Sequence, residues 1–433
     1  MSGTLTIRRA RLVLPDRVVT GDLVVVDGVI EQIGPELARR EGEQVDAAGL
    51  TVLPGAVDPL VAVPLQGDGE ALARETGAAA SAGVTSVVAV DLQSRVVDAD
   101  DVEEALEHAA RHARVHLGVL TSVDESRLDA LRAPGRAVGL HLPVGRWCGP
   151  RPASLAALPA VMAASPRWVV VEGQDPAALP QRELLYQGAH DPTEHSRIYP
   201  PELAAAVILA AGRAARTHGQ RLHFGRISSA AELAAFAEVA SESITGQATV
   251  PHLFVRADSA YRRLGTRAVV DPPLRGPGDV AALWEALRDG TLVALGSGHV
   301  ATPVQGKDLP YPQTLRGMPA MGAMLPLLVD RAARGDVSLT QVASWTADAP
   351  ARLVGLPRVG RLEVGFDADL LLVDTEADHV VDVASRSWSA WSPFHGFTLR
   401  GRPVATYLRG RAVFRDGRLR DGVRGSVLTP ARP

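Results

Sequence analysis

Apolar and polar positions alternate with a period of two at both ends of the chain and change rhythm in the middle. Near the N-terminus, Thr4–Ile7, Leu12–Leu14 and Leu23–Val26 read as strands, and Asp27-Gly28 before Val29-Ile30 predicts a tight hairpin. The C-terminal part repeats the style in Leu370–Asp374, Val404–Leu408 and Arg411–Phe414, followed by Asp416-Gly417. Between them, short β-branched runs alternate with Ala-rich amphipathic stretches. Val84–Val90, Val115–Leu120, Trp168–Val171, Arg221–Phe224 and Leu292–Leu295 predict strands. Asp101–Ala113, Glu202–Thr217, Ala230–Val239 and Asp279–Arg288 predict helices. Repeated strand–helix alternation implies parallel βαβ units, an α/β class. Roughly 300 residues of it favour a closed (β/α)8 TIM-like barrel over an open sheet. The expected division is a composite β-sandwich from 1–54 and 355–433, with the barrel at 55–354. Chemistry on such a barrel is sought at the C-terminal ends of the strands.

Composition narrows the function classes. The net charge of −4 gives no global field for nucleic acid or an anionic membrane. The single cysteine, Cys148, excludes an intrachain disulfide and a Cys-based zinc site, and fits a cytoplasmic setting. The N-terminal stretch lacks the apolar core of a signal peptide, and no run of about 18 apolar residues predicts a membrane span. Cys148–Pro152 reads as a loop.

Several motifs occur in a fixed order. They include Leu53-Pro54-Gly55-Ala56-Val57-Asp58, Glu75-Thr76-Gly77 with Ala82-Gly83-Val84-Thr85, and Val270-Asp271-Pro272-Pro273-Leu274-Arg275. Gly317–Met321, Pro350-Ala351-Arg352, Gly365–Leu370 and Ser392–Gly396 follow. In this order they resemble dihydroorotase, hydantoinase and allantoinase, the cyclic amidohydrolases, over nearly the whole chain. The resemblance implies a metal-dependent barrel of the amidohydrolase superfamily in which zinc activates water.

The residues at the family's ligand positions do not suit a metal. Two His are implied after Asp58, and this chain has Leu60 and Ala62. A carboxylated lysine bridges the ions in many members, but the only lysine, Lys307, lies far downstream, and Leu140–Gly145 holds no carboxylate. Glu172 takes the next His position, Arg226 the one after, and Gly298 replaces the Asp after the eighth strand. A fixed guanidinium repels a cation. Substrate contacts implied by the resemblance fall on Pro64, Leu92 and Asp271. No cofactor is therefore expected, and zinc only if the site has been rebuilt. Asp58, Glu172, His223, Asp271 and His299 remain as a vestigial polar set.

Other polar clusters have structural readings. Asp58, read as ending its strand beside Pro59, suits a capping role, and His223 and His252 suit a hydrogen-bonded core. Ser228-Ser229 suits a helix N-cap. The ladder His108, His112, His116 reads as a solvated face, and His190-Asp191-Pro192-Thr193-Glu194-His195 as a polar loop in which two His could also bind a metal.

Two functions follow. One is a non-catalytic homologue kept for assembly, similar to inactive pseudo-dihydroorotases that scaffold aspartate transcarbamoylase in pyrimidine biosynthesis; this implies a homo- or hetero-oligomer. The alternative is an active, divergent cyclic-amide hydrolase using Glu172, His223, His299 and the His190–His195 loop.

Overall fold

The computed structural model describes residues 3–38, 40–145 and 153–429, so the expected loop at Cys148–Pro152 lies outside the described residues. Eight parallel strands follow one another in chain order: Ala56–Val63, Val84–Asp91, His116–Ser122, Gly139–Val144, Val169–Gly173, Leu222–Phe224, Ile244–Thr249 and Ala294–Gly296. The ring closes just beyond the eighth strand. Ala62 N–H donates to His299 O, and Ala301 N–H donates to Ala62 O, both at 2.9 Å. The barrel is thus complete, as the alternating pattern predicts.

Successive side chains on a strand point to opposite faces, and both faces here are buried. Leu60, Ala62, Val88, Val90, Leu120 and Val170 form one apolar cluster in the barrel interior. Their sequence neighbours Val61, Val63, Val87, Ala89, Val119, Val169 and Val171 belong to the larger cluster shared with the helices. This double burial explains why the strands read as continuous β-branched runs. The second barrel helix, Ala99–His112, starts two residues earlier than its amphipathic stretch because Asp98 and Asp101 make a reciprocal capping box.

Strands from both ends of the chain make a second, continuous sheet. Its order is Arg418–Leu419, Arg411–Arg415, Thr398–Leu408, Leu370–Val380, Thr51–Pro54, Thr4–Val13, Val18–Val26, Val29–Gly34, with Glu43–Asp46 added beside Thr4–Val13. The predicted hairpin is present. Asp27 and Gly28 have φ of 50° and 84°, the positive pair that a two-residue turn between right-twisted strands requires. Thr51–Pro54 joins the terminal sheet and leads directly into the first barrel strand.

The C-terminal tail returns to the barrel. Val427 bridges in parallel to Leu117 on the third strand, and Leu428 joins the apolar cluster of the barrel interior. His116 holds this tail: its Nδ1 accepts from Ser426 N–H at 2.9 Å, and its Nε2 lies 3.2 Å from Asp369 Oδ1 on the terminal-sheet side. His116 is therefore buried, and so is His108, which corrects the solvated-face reading of the His108–His112–His116 ladder. His116 is buried because the ladder runs off the helix into a strand covered by the tail, and His108 because it lies on the buried face of its helix with Ala105 and Ala109.

Candidate functional site

The C-terminal strand ends bring the ligand positions together around an internal ion pair. Glu172, at the end of the fifth strand, and Arg226, just past the sixth, meet with Nε and Oε1 2.6 Å apart. Their side chains are 1% and 5% exposed, so water does not screen the pair. The other Glu172 oxygen faces Nε2 of His141 on the fourth strand at 3.3 Å, and Arg226 Nη1 donates to the carbonyl of Asp271 at 3.1 Å. One cation thus links the fifth and sixth strands to the loop after the seventh.

Leu60 and Glu172 both border Gly225. A Cβ added at Gly225 would meet Leu60 Cδ2 at 2.6 Å and Glu172 Cγ at 3.1 Å. Ala62, Val88 and Val90 continue the apolar wall beside it. Gly298 has a φ of 63°, and a Cβ there would lie 2.8 Å from Thr249 Cβ. An aspartate at this position would need both the strained backbone and that space.

Asp58 lies within the first strand, not at its end as the adjacent Pro59 suggested. Both its carboxylate oxygens accept from Ser297 N–H, at 3.2 and 3.3 Å. Burial pushes its carboxyl up to about 6, and the bonds from Ser297 only partly oppose this. His223 is fully buried and shares a 2.9 Å hydrogen bond between Nδ1 and Thr245 Oγ1; burial lowers it to about 4. His252 is tied to Thr249 Oγ1 at 2.7 Å and to Pro272 O at 2.9 Å. His299 turns Nδ1 toward the N–H groups of Ala320 and Met321, and its Nε2 lies 3.6 Å from Glu75. Burial lowers the His299 imidazole despite the Glu75 charge. Ser229 caps the helix Ala230–Val239 by accepting from Glu232 N–H. Pro64 and Leu92 are half-buried at the ends of the first and second strands.

A second polar network surrounds Asp271. Arg316 Nη1 donates to its Oδ2 at 2.8 Å, and His195 Nε2 faces its Oδ1 at 3.2 Å. Burial works against ionisation of this carboxyl, but Arg316 and His195 outweigh it and hold it well below the usual carboxylate range. Arg316 also donates to Tyr199 Oη at 2.8 Å, and His195 Nδ1 sits 3.3 Å from Tyr311 Oη. The loop reading thus needs correction at one end: His190 is exposed, while His195 is fully buried. The two histidines face different surroundings because the short helix His195–Ile198 turns His195 inward.

Arg316, His141 and Glu75 are not among the candidates read from the sequence. His141 lies within the stretch examined for a bridging carboxylate, where its alternation with Leu140 and Leu142 marks it as inward-facing. Glu75, in the Glu-Thr-Gly motif, is fully buried and accepts from Ser387 Oγ, Ser389 N–H and Ser389 Oγ at 2.6–2.9 Å.

These donors do not fit a divalent ion. Leu60, Ala62 and Gly298 offer no lone pair, and Arg226 brings a positive charge to the place where the ion would sit. Among the described residues, no group of three or more His, Cys, Asp or Glu side chains comes together to hold a metal. The rebuilt set of Glu172, His223, His299, His190 and His195 does not converge; Glu172, His223, His299 and His195 each have a different partner.

The pattern of the amidohydrolase family matches residues 196–413. An allantoinase of Rubrobacter xylanophilus is 30% identical over 437 residues, covering 95% of this chain and 94% of that protein. A dihydroorotase of a Geobacter species is 28% identical over 442 residues, covering 95% and 100%. A crystal structure of D-hydantoinase superimposes with a TM-score of 0.89 at 23% identity over 99% of both chains. The dihydropyrimidinase of Brevibacillus agri gives 0.87 at 23% identity, covering 99% of this chain and 100% of that one. No helix among the described residues is long and apolar enough to cross a membrane. With the barrel, the appended sheet and the ordered motifs, these likenesses make the chain a member of the amidohydrolase family.

Proposed function

We propose that this chain is a non-catalytic cyclic amidohydrolase homologue that acts by assembly, with aspartate transcarbamoylase as its partner. The observation that carries the first half is the buried Glu172–Arg226 pair. It neutralises the one carboxylate left among the ligand positions, and Leu60 borders the same glycine, Gly225, as Glu172 does. Cyclic-amide hydrolysis in this family's manner needs a cation that lowers the pKa of bound water to about 7. An arginine offers no open coordination site, so it leaves no position from which water could be activated. The partner rests on the resemblance to pseudo-dihydroorotases and on the likeness to dihydroorotases across the whole chain.

Two measurements test the two halves separately. Elemental analysis of purified protein is expected to give substoichiometric zinc, with no dihydroorotase or hydantoinase turnover. One or more zinc per chain with turnover would overturn the non-catalytic half. Sedimentation velocity of a mixture with aspartate transcarbamoylase is expected to give a faster species; two unshifted boundaries would remove that partner.

A further inference from the structure

A cavity of about 450 Å³ lies outside the barrel, between the first barrel helix, Gly69–Ser81, and the terminal sheet. Ser81, Ala82, Gly322 and Pro326 line it from the barrel side; His379, Arg386, Arg402 and Phe414 line it from the other. None of the residues around the Glu172–Arg226 pair takes part. Its size is that of a small-metabolite site, and such sites favour the seams between structural units.

The charges in the wall are unevenly used. Both aspartates of the wall have partners of their own, and the Asp382 carboxyl is held down chiefly by Ser385 and in smaller part by Arg386. Asp382 accepts from Ser385 Oγ at 2.5 Å and lies 3.7 Å from His395, while Asp416 lies 3.3 Å from Arg420 and 3.7 Å from Arg415. Arg386 has no carboxylate within ion-pair distance among the described residues. Its Nη1 and Nη2 both reach the carbonyl of Gly417 at 3.3 Å, and its guanidinium lies 5.6 Å from the centre of the Phe414 ring. That contact orients the planar fork without cancelling its charge. Arg402 pairs with Asp374 at 3.5 Å but stays more than half exposed, so water screens that pair. Of the four charged side chains in the wall, Arg386 is therefore the one without an ion-pair partner among the described residues. Apolar surface from Phe414, Pro326, Val381 and Val404 stands beside it.

We infer that this cavity binds a small organic anion. Its carboxylate or phosphate oxygens would sit on Arg386, supported by Arg402, and its apolar body against Phe414 and Pro326. A guanidinium fork suits two-oxygen recognition of either group. Because the seam joins the barrel to the terminal sheet, such a ligand ties the two together.

The test uses the full chain with benzoate, phenyl phosphate and the neutral isostere benzamide, read by thermal shift and calorimetry. A ligand held only by the folded protein raises the unfolding midpoint with the logarithm of its concentration above the dissociation constant, and the calorimetric isotherm shows the saturation. The expectation is saturable binding of one or both anions, at least about tenfold weaker binding of benzamide, and a loss of about tenfold or more for Arg386→Met with partial recovery for Arg386→Lys. The two anions distinguish a carboxylate site from a phosphate site. Arg226→Met is expected to leave this binding unchanged, which separates the inference from the reading of the barrel interior. No saturable binding of either anion, or equal binding of benzamide, overturns the proposal. So does undiminished binding by both Arg386→Met and Arg402→Met. The comparison of anion with amide in the unaltered protein holds even where a variant folds poorly.

Discussion

Removing Arg226 alone should cost far more than removing it together with its partner. In Arg226→Met, Glu172 keeps its charge with 1% side-chain exposure and loses its contact at 2.6 Å. His141 stays beside it at 3.3 Å, and the Asp271 carbonyl loses a donor at the same time. Breaking one side of such a buried pair costs about 3–5 kcal/mol, because the charge left behind is both desolvated and unpaired. Replacing both partners by apolar side chains of similar volume is often neutral, so Arg226→Met with Glu172→Leu should recover most of that loss. The Leu60 wall beside the pair supplies apolar surface for both new side chains. At about 2.1 cal/mol/K per residue, the unfolding entropy of 433 residues is near 0.9 kcal/mol/K. A loss of about 4 kcal/mol then lowers the midpoint by about 4–5 °C. Thermal unfolding of the wild type, both single variants and the double variant gives the full cycle. Single variants within about 1 °C of wild type, or a double variant that simply sums the two losses, would refute the reasoning that a buried, coupled pair organises this site.

Three further outcomes follow. Asp58 has a folded pKa of about 6 against an ordinary 3.8, so between those values the folded chain binds more protons than the unfolded one. Stability from this group therefore falls as pH rises from about 4 to about 6 and is level above, a loss of about 3 kcal/mol at full burial. Asp58→Asn, which keeps an acceptor for Ser297 N–H, should gain on wild type between pH 4 and pH 8 in midpoint comparisons; an advantage independent of pH would contradict this. His116→Leu removes the bonds to Ser426 and Asp369 and should cost about 1–3 kcal/mol, with faster amide exchange at Leu117 and Leu428; unchanged exchange there would show that the tail is held by packing alone. Gly298→Asp should lower stability by about 1–3 kcal/mol, from the positive φ and the contact with Thr249, without creating zinc binding; a stable, zinc-binding variant in dialysis and elemental analysis would contradict the packing argument.

Much of the architecture was legible because burial on both faces leaves a plain trace. The β-branched runs from Val84 and Val169 read directly as barrel strands, and Asp27-Gly28 announced its hairpin. The losses at Leu60, Ala62, Arg226 and Gly298 were equally plain, since they are losses of atom types. What replaced them was not. Glu172 and Arg226 stand 54 positions apart, and nothing in either local stretch states that they meet. His116 with Asp369, and His195 with Asp271, escaped for the same reason. Polar spacing suggested solvated surfaces there, but tertiary packing brought in a covering tail in one case and a buried carboxylate in the other. The pattern of inward and outward positions on a strand marks a residue such as His141 as inward-facing, yet it carries no information about partners.

The guanidinium of Arg226 differs from a bound ion in one respect with consequences in the cell. An ion must be acquired, competes with protons for its ligands, and can be withdrawn by a chelator, so a fold organised around it depends on metal supply. A cation carried on a side chain arrives with the polypeptide and stays charged at any physiological pH. On the proposed metal-free reading, the interior of this barrel is complete once the chain has been synthesised, and it should keep its shape through metal starvation that would empty a zinc enzyme of the same fold.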